Sequence, residues 1–253
     1  MLSVVMLTKN CEETVKKAVF SAYEIADEFV IVDDFSSDGT LNQLDDLPKA
    51  KTFRRKMVDF SEQRNFGIDQ CSGDWILMLD SDEYLSEKLV KSIRSTLDRP
   101  EHEAYDFKRK HLFLGEIILY CDYNTYTSMP RLFRRGSGRF HKPVHESLDY
   151  AGSVGRLSGW CYHDNARDLY QFTLKTIRYA AIEGEKLSQD GFSRRITPFF
   201  VIHRMLKSFA KRYFQKFGYR DGIRGFYLCL LESFHTGLIY AFYLDKSRKE
   251  GGT

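Results

Sequence analysis

The chain has 253 residues, of which 43% are hydrophobic and 29% charged, with 17 Gly and 5 Pro. This balance is typical of a globular protein and excludes a largely disordered, collagen-like or coiled-coil chain. The net charge of +3 hides an asymmetry, because residues 165–253 carry 16 Lys/Arg and 8 Asp/Glu, whereas the residues before them carry 22 and 27. Such a basic C-terminal part indicates an anionic partner, either a lipid surface or a nucleic acid, or else a solvated helix face.

The five cysteines are odd in number, lie far apart and form no C-x-x-C pair. The sequence therefore encodes neither a disulfide framework nor a zinc knuckle, and a reducing, cytoplasmic compartment is expected. The apolar start of the chain is too short for a signal peptide and indicates a first strand. No nucleic-acid-binding module is recognisable, so we expect no nucleic-acid partner.

The first 100 residues alternate between strand and helix patterns. Strands are predicted at 2–7, 29–32, 51–54 and 75–79. Helices are predicted to start at the capping box of Asn10 and Glu13, to cover 38–45, and to run from Ser61 to Gln70 and from Ser86 to Leu97. This order predicts a mainly parallel sheet covered by helices.

After Pro100 the pattern changes to short strands joined by turns, and then to helices. The strands are predicted at 105–113, 117–120, 131–135 and 154–161, and the helices at 168–188, 194–216 and 221–246. We therefore divide the chain into an α/β domain, residues 1–165, and a helical region, residues 166–253. The last helix is nearly long enough to cross a bilayer, but Glu232 and His235 lie in its middle, which favours a packed or interfacial helix.

Polar residues follow three of the predicted strands at the points where the strands end. They are Thr8-Lys-Asn10, Asp33-Asp34 and Asp80-Ser-Asp-Glu83. Because ligands of open α/β sheets bind beyond the carboxyl ends of the strands, we expect these residues to meet in one crevice. Asp80 and Asp82 would repel each other there without a cation, so the D-x-D pair predicts Mg²⁺ or Mn²⁺, with a solvated turn as the alternative.

Two common nucleotide-binding motifs are absent from the sequence. No G-x-G-x-x-G follows the first strand, and no G-x-x-x-x-G-K-[ST] occurs in the chain. A dinucleotide oxidoreductase or a P-loop phosphotransferase would thus lack the glycine loop that cradles its phosphates. A diphosphate bridged by a metal ion needs no such loop.

Four segments of the first 85 residues carry the most specific pattern. They are SVVMLTKN at 3–10, VIVDDFSSDGT at 30–40, QRNFG at 63–67 and GDWILMLDSDE at 73–83. In order and spacing they resemble the inverting family 2 glycosyltransferases. Later segments, at 131–140, 144–146 and 162–163, resemble the bacterial lipopolysaccharide-core glucosyltransferase branch. The resemblance implies an α/β GT-A (Rossmann-like) fold with a mainly parallel central sheet flanked by helices and a helical C-terminal extension.

The resemblance also implies an activity. We expect transfer of one sugar from a nucleotide-diphosphate sugar, a UDP-hexose, to a hydroxyl of a glycan or lipid-linked glycan. The Q-x-x-R-W motif of processive polysaccharide synthases is absent, which favours transfer of a single sugar. One departure from the family pattern is Phe35, where a glycine is usual, and this residue could alter the pocket beside the base.

Roles for residues of the donor site follow from the same resemblance. Thr8 and Asp33 would line the pyrimidine pocket, where Asp33 accepts a base N–H, unless Asp33 merely caps the element that follows. Arg64 would face the diphosphate, although a surface arginine of a helix is the alternative. Asp80 would reach the ribose or the metal, and Asp82 would hold the metal that bridges the two phosphates.

An inverting transfer also needs a general base. Glu146 is the candidate, with Asp122 in reserve and an ion pair with an arginine as the alternative role of Glu146. His163 would be a further metal ligand from the C-terminal part, with a purely structural role as the alternative, whereas His145 would position Glu146. Glu83 is expected to orient its turn rather than to react.

Three arginines, Arg131, Arg134 and Arg135, form a predicted cationic patch. Guanidinium groups suit phosphate, so Arg131 and Arg134 would bind the donor diphosphate or a phosphorylated acceptor, or would simply lie on a strand.

The basic C-terminal region is expected to be amphipathic. Nine Lys/Arg between residues 194 and 224 are accompanied by one acid, Asp221. Arg204, Lys207 and Lys211 would share one helix face, and apolar residues from Phe199 to Phe217 the other. Such a helix can lie on an anionic membrane or pack on the core with a solvated basic face. Because the resembling enzymes act on lipid-anchored glycans, we expect a cytoplasmic protein that is peripheral on the inner face of the membrane.

Two other functions remain open at this point. A sugar nucleotidylyltransferase would need a glycine-rich loop after its first strand, and Leu7-Thr-Lys-Asn10 lacks the glycines. A non-catalytic protein that binds nucleotide sugar or nucleic acid could use the basic tail, but the presence of both Asp80 and Asp82 favours an enzyme.

Overall fold

The computed structural model describes residues 1–121, 129–141, 147–150, 152–164, 169–192 and 195–250. The chain forms two compact units, one from Met1–Lys110 and Thr125–Asp164, the other from His111–Asn124 and Asn165–Thr253. The division of the sequence at residue 165 left residues 111–124 in the first part, whereas their contacts place them in the second unit.

The strands provide the framework of the first unit. In chain order they are β1 (Leu2–Thr8), β2 (Glu28–Asp33), β3 (Ala50–Arg54), β4 (Trp75–Met78), β5 (Glu83–Leu85), β6 (Ala104–Phe113), β7 (Glu116–Ile118), β8 (Leu132–Arg134), β9 (Gly138–His141), β10 (Ser147–Tyr150) and β11 (Val154–His163). The main sheet has the order β3-β2-β1-β4-β8-β6-β11-β5, and β9 and β10 form a separate antiparallel pair.

The direction of the strands changes within the main sheet. The pairs β3–β2, β2–β1 and β1–β4 are parallel, whereas β4–β8, β8–β6 and β11–β5 are antiparallel. The expectation of a mainly parallel sheet thus holds for the first half only, and the complete sheet is mixed. The reason is the connections, because the described residues between the strands after Pro100 form no crossover helix, and parallel neighbours need such crossovers.

Six α-helices accompany the strands in the described part of the chain. They are α1 (Val15–Ala22), α2 (Phe60–Asp69), α3 (Glu87–Asp98), α4 (Leu169–Gln189), α5 (Pro198–Ala210) and α6 (Gly222–Glu250). A π-helical turn, Lys211–Gln215, continues α5. The helix predicted at 38–45 is only a 3₁₀ turn, Leu41–Gln43.

One of the three predicted helix caps is confirmed, and two are wrong. Ser86 accepts a hydrogen bond from Leu89 N at 3.3 Å and caps α3. Asn10 does not cap α1, because its Oδ1 accepts from Ser37 N at 2.8 Å in the loop beyond β2. Helix α2 is capped by Asp59, which accepts from Glu62 N at 2.8 Å, and Ser61 already lies inside the helix.

The core of the first unit lies on both faces of the parallel strands. Val4 and Met6 of β1 belong to one apolar cluster, together with α1 and α3 residues, and Val5 belongs to a second cluster with Ile68 of α2. This alternation is the period of two that a strand buried on both faces requires. It fixes the register of β1 and therefore the position of the residues at its carboxyl end.

The second unit has its own core beneath α4, α5 and α6. Six buried residues form it: Phe113, Ile118, Cys121, Phe172, Leu228 and Cys229. Asp221 binds the segment after β7, accepting from Leu119 N at 3.1 Å and from Tyr120 N at 3.0 Å. All five cysteines are free thiols, as the sequence predicted. No helix among the described residues combines the length and apolar composition needed to cross a bilayer.

A buried carboxylate at the amino end of β2 connects three segments of the first unit. Glu28 accepts hydrogen bonds from Ser3 Oγ at 2.5 Å and from Ser72 N at 2.6 Å, and its other oxygen lies 2.6 Å from Lys51 Nζ. Burial alone would raise the pKa of Glu28, but these donors outweigh it and lower the pKa to about 2. The ionised form is thus stabilised by folding.

We expect Glu28→Gln to destabilise the protein by about 2 kcal/mol at pH 7, since charged hydrogen bonds contribute about 1.5 to 3 kcal/mol. A lowered folded-state pKa contributes stability above the unfolded value, near 4.5, and this contribution is lost as the pH falls toward about 2. In urea unfolding, the difference in the free energy of unfolding between wild type and variant should therefore shrink as the pH is lowered from 7 to 3. Glu24→Gln, at an exposed carboxylate, is the matched control and should change nothing. A pH-independent gap would contradict this account.

Candidate functional site

Three neighbouring parallel strands end at one edge of the sheet and bring their polar residues together. Thr8 ends β1, Asp33 ends β2 and is its direct register partner, and Asp80 lies two residues beyond the end of β4. Because β4 runs parallel to β1 on the side away from β2, all three positions lie at the carboxyl edge. The edge of the sheet is the place where open α/β sheets bind ligands.

The first group at this edge is the buried pair of Thr8 and Asp33. Thr8 Oγ1 donates to Asp33 Oδ1 at 2.9 Å, and Ser36 donates to the same carboxylate from its backbone N at 2.8 Å and from its hydroxyl at 2.5 Å. Asp33 thus holds the loop that follows β2 and caps that turn rather than a helix. The Asp33 carboxylate is therefore held in place at the carboxyl edge of the sheet by Thr8 and Ser36.

Phe35 lies at the top of this loop and adopts a left-handed backbone conformation with a φ of 52°. A glycine takes this conformation without steric cost, which gives a physical reason for the glycine that the resembling family has here. In this chain the ring is half exposed and stacks against the Arg54 guanidinium at 5.0 Å. The loop therefore presents an aromatic surface beside the Thr8–Asp33 pair.

The second group is a cluster of carboxylates and arginines around the turn after β4. Asp80 lies 3.0 Å from Arg64 of α2 and 3.2 Å from Arg131, through different carboxylate oxygens. Burial would raise the pKa of Asp80, but the two guanidinium groups hold it well below its usual range. Asp80 is therefore ionised and already paired within the protein.

Glu83 organises the same turn. Its carboxylate accepts from Asp80 N at 3.1 Å and lies 3.3 Å from Arg131 and 2.8 Å from Arg109. Burial raises the pKa of Glu83 despite the attraction of Arg131. These contacts agree with the expectation that Glu83 orients the turn. Arg109 of β6 was missed by the sequence analysis, and the only signal was its place in the basic run 108–110.

The third group is formed by Asp82 and His163, which come from different parts of the chain. His163 ends β11, which pairs with β5, and its Nε2 lies 3.2 Å from Asp82 Oδ2. Burial lowers the pKa of His163, but the nearby Asp82 carboxylate outweighs this and raises it. A backbone hydrogen bond from Asp164 N to Asp82 O at 2.8 Å fixes the two segments together.

The Asp82–His163 pair carries the residue types that would hold a divalent cation. A carboxylate oxygen and an imidazole nitrogen are both ligands of such ions, and the two atoms already converge on one point. Among the described residues, no group of three or more His, Cys, Asp or Glu side chains could hold a metal ion. The pair alone thus offers at most two protein ligands of the kinds that divalent ions take.

The two arginines predicted to bind phosphate lie in different places. Arg131 is buried, and its guanidinium is shared between Asp80 and Glu83. Arg134 lies opposite Trp75, at the other end of β4, where its Nε is 2.9 Å from Glu103. Because β8 runs antiparallel to β4, each residue after Arg131 moves away from the site edge. The structure therefore does not bring Arg134 to the site.

The candidate bases, Glu146 and Asp122, lie outside the described residues, as does His145. Strand β9 precedes Glu146 in the chain, and its Phe140 is fixed to α2, since Asn65 exchanges two hydrogen bonds of 2.9 Å with the Phe140 backbone.

The family model of "Glycosyl transferase family 2" matches residues 3–144. Over 253 residues the chain is 24% identical to a glycosyltransferase of Rickettsia prowazekii (strain Madrid E), covering 95% of this chain and 83% of the relative. It is 26% identical over 249 residues to the lipopolysaccharide core biosynthesis glycosyltransferase LpsC of Rhizobium meliloti (strain 1021), covering 95% of this chain and 89% of LpsC.

Among solved structures, the chain resembles residues 1–349 of S. aureus TarS in complex with UDP-GlcNAc. The TM-score is 0.54 at 14% identity, and the match covers 99% of this chain and 92% of the TarS chain. At this identity the likeness concerns the fold, which is α/β with a mixed central sheet flanked by helices, as in TarS.

Proposed function

The chain belongs to glycosyl transferase family 2 and is a glycosyltransferase, and we propose that its donor is a UDP-hexose. The enzyme would move the hexose to a hydroxyl of a glycan or lipid-linked glycan. The transfer would invert the anomeric centre and would use a divalent metal ion. The observation that supports this best is the edge that holds the Thr8–Asp33 pair and the Asp82–His163 pair. The first suits a nucleoside and the second a metal-bound diphosphate.

The donor would lie along this edge with its base over β1 and β2. Thr8 and Asp33 would line the pyrimidine pocket, and a base N–H would donate to the Asp33 carboxylate, which Thr8 and Ser36 already orient. Phe35 would border this pocket. The UDP-GlcNAc bound to TarS, which has the same fold, supports a UDP-sugar as the donor.

The diphosphate would lie beside the turn after β4. Asp82 and His163 would hold Mg²⁺ or Mn²⁺ there, and when bound the ion would stabilise the charge of the departing nucleotide diphosphate. Arg64 would contact the phosphates, and Asp80, kept ionised by Arg64 and Arg131, would reach the ribose or the metal. We assign no phosphate to Arg131, which is buried and shared between two carboxylates, or to Arg134, which lies at the other end of β4.

The transfer itself would be a single in-line displacement. The acceptor oxygen forms a bond to the anomeric carbon while the bond to the diphosphate oxygen breaks and its electron pair leaves with UDP. Glu146, with Asp122 as the reserve, would take the proton of the acceptor hydroxyl at a carboxylate oxygen. Both assignments rest on the sequence pattern alone.

The proposed acceptor class is supported by LpsC, whose name assigns that relative to lipopolysaccharide core biosynthesis. A glycan attached to a lipid is confined to a membrane surface, so a transferase that acts on it gains from binding that surface. We therefore propose that the enzyme works in the cytoplasm, peripherally on the inner face of the membrane, with its basic C-terminal helices toward anionic lipid.

The donor assignment is tested by offering UDP-, GDP- and dTDP-sugars with Mn²⁺, Mg²⁺ or a chelator. We expect UDP-sugars with metal to raise the melting temperature and to be hydrolysed slowly, with release of UDP. Release of pyrophosphate from a sugar phosphate and a nucleoside triphosphate would instead identify a nucleotidylyltransferase. If no nucleotide sugar binds under any of these conditions, the proposal fails.

A further inference from the structure

Helix α5 exposes large apolar side chains on the face opposite its packing partner. Phe199, Ile202 and Leu206 recur at steps of three and four residues and therefore share one helix face. The other face packs on α6, where Phe200 meets the Tyr240 ring at 5.1 Å and Ser233 Oγ donates to Met205 O at 2.8 Å. The exposed stripe is thus a consequence of how α5 is docked.

From the sequence we expected the basic residues on one helix face and the apolar residues on the other, with the helix either lying on a membrane or packing on the core. Arg204 is exposed, and its Nε donates to the Tyr240 hydroxyl of α6 at 3.0 Å. Arg212, in the π-helical turn, is partly buried and lies 3.1 Å from Glu232 of α6. Both arginines find polar partners on α6, so the apolar residues on the opposite face of α5 are left in solvent.

Helix α6 carries a second stripe of the same kind. Ile223, Tyr227 and Leu230 recur at steps of four and three residues, on a face that α5 does not cover. Aromatic contacts join the helical segments that carry the two stripes, because the Phe226 ring of α6 lies 5.8 Å from Phe209 of α5 and 6.0 Å from Tyr213 of the π-helical turn. The six residues of the two stripes, together called the α5–α6 surface, are between 46% and 80% exposed: Phe199, Ile202, Leu206, Ile223, Tyr227 and Leu230.

The charges around this surface are predominantly positive. Lys207 and Lys211 are exposed next to the α5 stripe. The acids of this segment are already engaged, since Asp221 accepts from the backbone of Leu119 and Tyr120, and Glu232 pairs with Arg212. The surroundings of the apolar stripes therefore attract anions.

We propose that the α5–α6 surface inserts its apolar side chains into the headgroup boundary of an anionic lipid bilayer. Apolar residues would enter the acyl region, while the lysines keep their stems along the apolar layer and their ammonium groups at the lipid phosphates. A second copy of the chain fits this surface poorly, because two copies would bring surfaces of the same positive charge together. The inference deepens the proposed membrane association by naming the residues that enter the lipid.

Insertion and purely electrostatic adhesion differ in their dependence on salt. Electrostatic attraction at a membrane is screened by added salt, whereas burial of apolar area is not. The full chain should therefore co-sediment with vesicles of phosphatidylcholine and phosphatidylglycerol at low salt, and a substantial part of that binding should persist at high salt. Vesicles of phosphatidylcholine alone should bind less.

Matched variants separate the two contributions. The double variant Ile202→Ser/Leu206→Ser should weaken vesicle binding by at least about tenfold at both salt concentrations. Lys207→Gln/Lys211→Gln should weaken it at low salt only. Phe20→Ser, at a residue of the first unit that is 51% exposed, is the control and should bind like wild type. Because these side chains are exposed, the variants should keep the wild-type melting temperature.

The depth of insertion is measured with Leu206→Trp. On vesicle binding its tryptophan emission should shift to the blue and be quenched by brominated lipid. The inference is overturned if the serine variant binds vesicles like wild type, or if the surface drives concentration-dependent dimerisation that lipid does not alter. UDP binding by each variant reports separately on the proposed transferase. A variant that loses vesicle binding but keeps UDP binding is affected only at the α5–α6 surface. A variant that keeps vesicle binding but loses UDP binding is affected only at the donor site.

Discussion

Glu146→Gln should bind the donor like wild type and lose about 10² to 10⁴ in turnover number, the range typical of a missing general base. The amide keeps the shape of the side chain but cannot accept the proton of the acceptor hydroxyl. Donor binding should survive because the proposed donor contacts come from β1, β2 and the turn after β4. The measurement pairs UDP-sugar titration with transfer kinetics on the same preparations.

The matched variant in this experiment is Asp122→Asn, at the reserve candidate. If Glu146 is the base, Asp122→Asn should retain most of the turnover. If Glu146→Gln turns over like wild type while Asp122→Asn fails, the base is Asp122. A loss of donor binding in Glu146→Gln would contradict the assignment in a different way, because the residue would then belong to the donor pocket.

Asp82→Ala should abolish most of the metal-dependent affinity for UDP and leave the fold intact. The substitution removes the carboxylate oxygen that lies 3.2 Å from His163 Nε2. It leaves the Asp80, Glu83 and arginine contacts that organise the turn untouched. Calorimetric titration of UDP with Mn²⁺ and with a chelator measures the effect, and wild type in chelator should behave like the variant.

His163→Gln is the second variant. It should lose a smaller part of the metal-dependent affinity for UDP, because Asp82, one of the two proposed ligands, remains. Asp74→Asn is the control, at an exposed carboxylate near the opposite edge of the sheet. Unchanged UDP binding by wild type in chelator would show that the donor needs no metal. Unchanged binding by Asp82→Ala with metal still required would move the metal site to other residues.

The arginine cluster gives a physical reason for how two nearby carboxylates of one turn are kept in place without an ion. Asp80 shares Arg131 with Glu83, and Arg64 and Arg109 complete the pairing. Removing one partner of a buried ion pair is strongly destabilising, because an uncompensated charge remains. Asp82 lies outside this cluster, 3.2 Å from His163, so the two aspartates of the D-x-D motif have different partners.

Local sequence patterns determined the parts of the fold that depend on neighbours in the chain. The apolar runs at β1, β2 and β4 fit strands that are buried on both faces. Ser86 caps the first turn of α3 with its own side chain. The polar residues at the three strand ends followed from the parallel order. Asn10 failed as a cap because Ser37, 27 residues away, offered its side chain a partner.

Tertiary structure alone decided which side chains of different segments meet. Arg109 reaches Glu83, and His163 reaches Asp82, only because β6 and β11 return to the sheet beside β5 and the turn after β4. Arg134 left the site because β8 runs antiparallel to β4. The outward face of α5 was also decided in three dimensions. Helical periodicity shows that Ile202 and Arg204 lie on different faces, but only the fold shows that Arg204 has a partner on α6, the Tyr240 hydroxyl, while Ile202 meets solvent.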